Sequence, residues 1–380
     1  MKNLKCNKWL LGILAVVGTA TIASFAMGEE SYADLQNRLE AAEAKIASLT
    51  SPSEIDVARA EAHRAIVADI LADADARAML QGDKHPVTVT VGGFLQTRYS
   101  YNSGGDVDYT RGFSVPRARL IFSGDIYDWS YRVSGQWEEG GAFTLKDAYG
   151  QGKLGDWDFR AGQFKTPFMR EVLVSQTDTL MPERSIISNQ FGQGRSQAVQ
   201  FSRDWDKFTA AVSYGDGFNS ANGGGVQNGQ AFTGRITYDV LDWMNLGAAV
   251  SWNDDVATSY TTWTVDTKVS KGNLDLTAAY VATSGDAGDN WGATVQAGYM
   301  CMEDLQGYVA YEYGSLEGVD DNLSIVTVGA NYWLNPNVKW TTDLGYALNG
   351  INGSWDLGQT GWQTGNDGEY LVRSQLQFKF

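Results

Sequence analysis

Arginine recurs in this chain at positions that an extended backbone would gather on one surface. Arg117 and Arg119 are two residues apart, and Arg98, Arg132 and Arg160 stand among alternating polar residues in neighbouring segments. A guanidinium keeps its charge at physiological pH, so a row of them transfers no protons; it sets up a field that selects ions by sign. Asp178 and Glu183, in the stretch after Arg160, could face that row and make the field transverse. Chemistry that makes or breaks bonds has little to work with. Both histidines, His63 and His85, precede the arginine-bearing segments, and the cysteines are Cys6 and Cys301. Ser/His and Asp/His constellations and most His-based metal chemistry are thereby excluded, and no catalytic residue, metal site or cofactor is expected. His85 reads as a linker residue. Acidic clusters such as Gly215-Asp216-Gly217, Asp254-Asp255 and Asp320-Asp321 could hold divalent cations weakly, but solvated turns are the simpler reading.

Composition bounds the partners. With 45 Asp and Glu against 29 Lys and Arg, a net charge of −16, the chain has no basic face for nucleic acid. Its 43 Gly and its 13 Trp, 18 Tyr and 15 Phe, with only 19% charged residues, suit a membrane-facing β-structure better than two or three soluble domains. Hydrophobic content of 43% excludes disorder.

The N-terminus reads as an export signal. Lys2, Lys5 and Lys8 precede an apolar run at 9–17, and Ser24-Phe25-Ala26 supplies small residues for cleavage, which makes 1–26 a signal peptide. The run is too short for the roughly 20 residues of a spanning anchor. Cleavage removes Cys6 and leaves Cys301 as the sole thiol. Residues 27–83 read as a periplasmic helical segment. Tyr32, Leu35, Leu39, Ala42, Ile46 and Leu49 follow a 3-4 spacing, a heptad seam through which copies could associate. Ser51-Pro52-Ser53 breaks that helix, and a second, Ala-rich one spans 54–80. A solvated stalk, self-association along Leu35, Leu39 and Ile46, and a tether to the cell wall are all open for these helices.

After Gly82 the period changes to two and stays so. Val87, Val89, Val91, Leu95 and Tyr99 alternate with Thr88, Thr90, Gln96 and Arg98, and the same dyad runs through Trp129, Tyr131, Val133 and Trp137. Sixteen alternating segments can be counted, near 87–101, 113–125, 129–139, 143–152, 157–163, 195–203, 208–214, 230–238, 244–252, 261–269, 274–283, 291–300, 305–313, 323–334, 338–348 and 369–380. A soluble sandwich alternates too. Here, however, Trp and Tyr mark the ends of the apolar face, the other face is polar enough to line water, and branched aliphatics for a sandwich core are few. Connections alternate between short turns and longer Gly/Asp/Asn-rich loops, as in an outer-membrane barrel. The predicted fold is a 16-stranded antiparallel transmembrane β-barrel over 84–380, in the outer membrane of a Gram-negative-type bacterium, in contact with its lipids. Terminal Phe380, on one face with Tyr370, Val372, Leu376 and Phe378, resembles the signal read by the barrel assembly machinery.

The longest non-alternating stretch, 165–194, contains Gly162-Gln163-Phe164-Lys165-Thr166-Pro167-Phe168 at its entrance, then Pro182-Glu183-Arg184-Ser185 and Gly194-Arg195. With the partial matches Arg117-Ala118-Arg119-Leu120 and Lys146-Asp147-Ala148-Tyr149, these words resemble the family of phosphate-selective porins O and P. The resemblance covers 86–380. It implies a trimeric porin, a homotrimer with a third external loop folded inward, and makes Lys165 and Arg184 residues that hold that loop or touch solute. Dense cation arrays mark the phosphate-concentrating members. Eight of the 29 basic and twelve of the 45 acidic residues precede Lys84, leaving 21 against 33, a barrel at −12.

Assigning polar faces inward places the five arginines along the first five strands, with Asp125, Glu138, Asp158, Asp266, Asp275, Glu312 and Asp343 also inward. Either the arginines form a one-sided basic wall that favours anions, or Asp125, Glu138 and Asp158 neutralise them. The expected function is passive diffusion of small hydrophilic solutes and ions with weak anion preference; the alternatives are a phosphate-selective channel and a structural envelope tether.

Overall fold

A computed structural model of the chain describes residues 87–104, 109–223, 229–255, 258–365 and 367–380. Residues 1–26, read above as a signal peptide, and Leu35, Leu39 and Ile46, read as a seam, lie outside the described residues. The strands are β1 (Thr90–Asn102), β2 (Thr110–Ile126), β3 (Trp129–Glu138), β4 (Phe143–Leu154), β5 (Trp157–Lys165), β6 (Arg195–Trp205), β7 (Phe208–Gly215) and β8 (Gln230–Leu241). They continue with β9 (Met244–Asp254), β10 (Ser259–Lys271), β11 (Leu274–Gly285), β12 (Asn290–Met300), β13 (Leu305–Ser315), β14 (Leu323–Asn335), β15 (Val338–Ala347) and β16 (Tyr370–Lys379). Each pairs antiparallel with its sequence neighbour, and β1 pairs with β16 to close the barrel. Closure removes the edges that an open sheet would expose, which a lipid environment requires.

The chain closes through its last residue. Gly93 N donates to the Phe380 carbonyl at 2.8 Å and Phe380 N donates back to the Gly93 carbonyl at 3.0 Å. Alternation explains the rest of the wall. Outward positions carry exposed Phe122, Val133, Val212, Ile236, Val250 and Val265, and aromatic pairs such as Trp157–Trp205 (5.7 Å between centroids) and Trp291–Tyr313 (5.5 Å) form the girdles. Tight turns between β2 and β3 and between β6 and β7 are reached with Tyr127 and Asp206 at positive φ, as two-residue hairpin loops demand. Pro116 lies where the β1–β2 register shifts between Gln96 and Arg98, so a residue with no N–H to donate sits at the irregularity rather than in the ladder.

The lumen departs from the uniformly polar lining that alternation alone predicts. Two external loops, 166–194 and 348–369, fold inward and bury an apolar cluster with the inner faces of several strands. It contains Phe168, Met169, Ile186, Ile187 and Phe191 from the first loop, Ile351, Trp355 and Trp362 from the second, and Val281, Leu323, Ile325 and Leu371 from the wall. Glycine makes room for it: a Cβ on Gly314 would lie 2.8 Å from the Trp355 ring, and one on Gly345 would lie 2.6 Å from Trp362.

Candidate functional site

The third external loop contains two short helices, α1 (Arg170–Leu173) and α2 (Ile186–Phe191). Its motif residues turn and tie it. Gly162 has φ +128°, and a Cβ there would lie 2.2 Å from the Ala148 carbonyl, so a side chain is barred where the stem of the loop crosses β4. Lys165 Nζ donates to the carbonyls of Val172 (2.6 Å) and Val174 (3.0 Å), groups left unpaired at the end of α1. Arg184 donates to the carbonyls of Glu171 (2.9 Å) and Val174 (2.7 Å). Both cations are therefore spent on the loop's own backbone. Ser185 caps α2 through Ser188 N (3.0 Å), while the Glu312 carboxylate from β13 accepts from Ile186 N at 2.6 Å.

Glu183 ties the loop to the wall through two arginines. Its carboxylate accepts from Arg117 at 2.8 and 2.5 Å and also from Arg98, and all three side chains are buried. Burial raises the Glu183 pKa, but the Arg117 and Arg98 guanidiniums outweigh it and hold the carboxyl at about 2. Arg98 is further bound to the Gln375 amide oxygen (3.0 Å) and the Gln359 carbonyl (2.8 Å). The expectation that Arg98 and Arg117 face the open lumen thus meets a different geometry: the loop covers them, because its acid is their counter-ion.

Other anchors run round the far wall. Arg170 Nε donates to Asp266 (2.6 Å), Arg235 donates to the Phe168 carbonyl (2.5 Å), and Asn331 donates to the Leu180 carbonyl (3.0 Å). Lys339 Nζ donates to the carbonyls of Thr177 (3.1 Å) and Thr179 (3.0 Å), and Gln377 also to that of Thr177 (3.1 Å). These bonds hold residues 177–180 along β14 to β16, so Asp178 stands beside Lys379 at 3.8 Å and not opposite the arginine row. The transverse field expected of Asp178 and Glu183 is not built from them.

What faces the loop is the wall of β2 to β6. Arg119, Arg132, Arg160, Arg195 and Asp147 line a recess of about 240 Å3, with Lys165, Leu173 and Ser175 opposite. Arg119 donates to the Gln136 amide oxygen at 2.9 Å and lies over the Phe94 ring at 5.1 Å. Arg160 donates to Gln151 at 2.9 Å and lies over Tyr149 at 4.6 Å. Amides and rings orient these two guanidiniums without neutralising them. Asp147 is the carboxylate of the recess: it takes Arg195 at 2.8 Å, Arg132 at 3.5 Å and the Ser134 hydroxyl at 2.7 Å. Of the acids expected to neutralise the row, Glu138 is engaged with Lys146 and Asp158 with Lys153 at 2.8 Å. Asp147 and Arg195 were visible only as members of motif words; nothing in their spacing marked them as partners. Beneath the loop a chamber of about 720 Å3 mixes Arg170, Lys268 and Lys339 with Glu171, Asp266 and Asp275, so charge of one sign is concentrated at the smaller recess.

The model of the Gram-negative porin family matches residues 59–352. No sequence among the curated proteins matches. Among solved structures, an anion-selective porin from Comamonas acidovorans is 13% identical with a TM-score of 0.56, covering 77% of this chain and all of its own. OmpF of Salmonella typhi, in complex with daunomycin, is 15% identical with a TM-score of 0.60, covering 78% of this chain and 98% of its own. A trimer form of OmpT, an outer-membrane protein of Vibrio cholerae, is 14% identical with a TM-score of 0.56, covering 77% and 99%. These likenesses carry the fold, and the family match covers most of the barrel. A closed, lipid-faced barrel with a loop narrowing its lumen therefore belongs to the Gram-negative porin family, the outer-membrane channels through which small hydrophilic solutes diffuse passively.

Proposed function

We propose that solutes cross between the third loop and the wall of β2 to β6, and that this gap gives the channel weak anion preference without high-affinity phosphate capture. The observation that carries the reading is the lining of the recess, where Arg119, Arg132, Arg160 and Arg195 stand against the single carboxylate of Asp147. Two further arginines that could have extended a phosphate-binding array, Arg98 and Arg117, are buried against Glu183, which offsets one of their two charges and covers both. The phosphate-selective O and P subtype, suggested by the motif words, is thus the second reading and not the first. Purified protein in a planar bilayer should give stepwise conductance with chloride favoured over potassium in a salt gradient. Micromolar phosphate should leave that conductance unchanged. Wild-type cation selectivity would defeat the proposal, and block by micromolar phosphate would favour the subtype.

The assembled form we propose is a homotrimer, exported by cleavage of 1–26, inserted by the barrel assembly machinery through the Phe380 strand, with 27–83 in the periplasm. The heptad seam supports association there. A cell-wall contact by the same helices is compatible with conduction. Leu35→Asp, Leu39→Asp and Ile46→Asp together should weaken the trimer on native electrophoresis if the seam contributes; unchanged stability would assign assembly to the barrel walls, and a monomeric wild type would overturn the trimer.

A further inference from the structure

The loop at 348–369, joining β15 to β16, is folded into the lumen although its sequence shows no motif. Ile351, Trp355 and Trp362 are buried at 1%, 3% and 5% exposure. Trp355 meets Phe191 of α2 edge-on with ring centroids 6.2 Å apart. Polar bonds tie the same two segments: Asp356 N donates to the Gln190 amide oxygen at 2.7 Å. The loop also reaches the wall, where the carbonyls of Gln359, Thr360 and Gly361 accept from Arg98 (2.8 Å), Arg373 (3.0 Å) and Asn102 (3.0 Å). Inner-face glycines match both loops in shape. A Cβ on Gly292 would lie 2.6 Å from Ile187 and 3.1 Å from Phe191, and Gly314 and Gly345 admit the two indoles as described above. Small residues on the wall thus stand where large apolar ones descend from the loop, which is the complementarity of a packed core rather than of a loop resting on water.

We propose that 348–369 is a second constriction element. In it, Trp355, which meets α2, and Trp362, which seats the loop on β15, are positioning residues that hold α2 against the wall of β11 to β13, keep that half of the lumen shut, and confine solutes to the arginine-lined side. The inference rests on the passive-diffusion reading. It accounts for an otherwise odd feature of a 16-stranded barrel, which is wide enough to leave an open aqueous lumen yet here holds a continuous apolar cluster. The third loop alone cannot make that seal, since the cluster takes Ile351, Trp355 and Trp362 from the last loop.

The test uses the full chain with Trp355→Ala, with Trp362→Ala, and with 350–367 replaced by a short Gly/Ser link, each checked for heat-modifiable folding. Opening the closed half should raise single-channel conductance about twofold, admit larger sugars in liposome swelling, and move the reversal potential toward zero, because the newly opened wall lacks the arginine row. Trp355→Phe, which keeps a ring against Phe191, should restore wild-type conductance. Folded variants with wild-type conductance and sugar cut-off would overturn the clamp. The linker variant decides the matter if the alanine variants do not fold. A silent wild type would instead remove the diffusion reading itself, so the two failures are distinguishable.

Discussion

Glu183→Gln will widen the channel and raise its anion preference. Glutamine keeps the shape and one acceptor, but the two guanidiniums of Arg98 and Arg117 lose their counter-ion while remaining buried. Leaving a buried charge without its partner costs about 3–5 kcal/mol, enough to shift a docked-to-undocked ratio by about two to four powers of ten. The loop has other anchors, at Lys339, Arg235 and Glu312, so it will loosen at the Glu183 end rather than leave the lumen. Single-channel recording should show larger, noisier openings, and the freed guanidiniums should favour chloride further. Conductance and noise identical to wild type would mean that the latch does not position the loop. Acid should act on the same contact with a defined sign. The folded pKa of about 2 is depressed below the ordinary carboxylate value of 4.5, so this stabilisation is present above pH 4.5 and is lost as pH falls through about 2. Conductance attributable to this latch should therefore stay flat from pH 7 to about 4 and rise only toward pH 2.

The triple substitution Arg119→Ala, Arg132→Ala and Arg160→Ala should carry the channel from anion toward cation preference. A unit charge about 4 Å from a passing ion contributes about 1 kcal/mol even in bulk water, about a fivefold bias, and the three residues act in one recess. The chloride-to-potassium permeability ratio should fall severalfold in a reversal-potential measurement. The effect should be largest at low salt, because screening shortens to about 3 Å at 1 M. Asp147→Asn should push the ratio the other way, since it removes the carboxylate that faces Arg132 and Arg195. A triple variant with an unmoved reversal potential would place selectivity outside this wall. The net charge of the barrel predicts the opposite preference, so the measurement separates local field from overall charge.

Much of the wall could be read directly from the residues. All sixteen alternating segments fall on strands, including β5 and β6 on either side of the unreadable stretch between them. Alternation is a local property, and lipid on one face forces it at every strand. The same logic predicted which acids turn inward, and Asp266, Glu312 and Asp343 are indeed buried inside. The inward third loop was legible from its length and from the words around Lys165 and Glu183, though not the route it takes.

The amino-acid sequence alone therefore determined the strand number, the lipid face and the existence of a constricting loop, because each is written in neighbouring residues. Tertiary structure decided which charges are free to act. Arg98 meets Glu183 across 85 residues and Gln375 across 277, and Arg195 meets Asp147 across 48. Such pairs depend on how the strands stagger round the barrel and on the irregular path of a loop backbone, and no periodicity encodes either. The same holds for 348–369, whose Trp355 and Trp362 become lumen residues only because glycines on β13 and β15 leave space for them. Five arginines of one apparent kind were thus divided by the fold, two locked beneath a loop carboxylate and three left lining the recess between the loop and the wall.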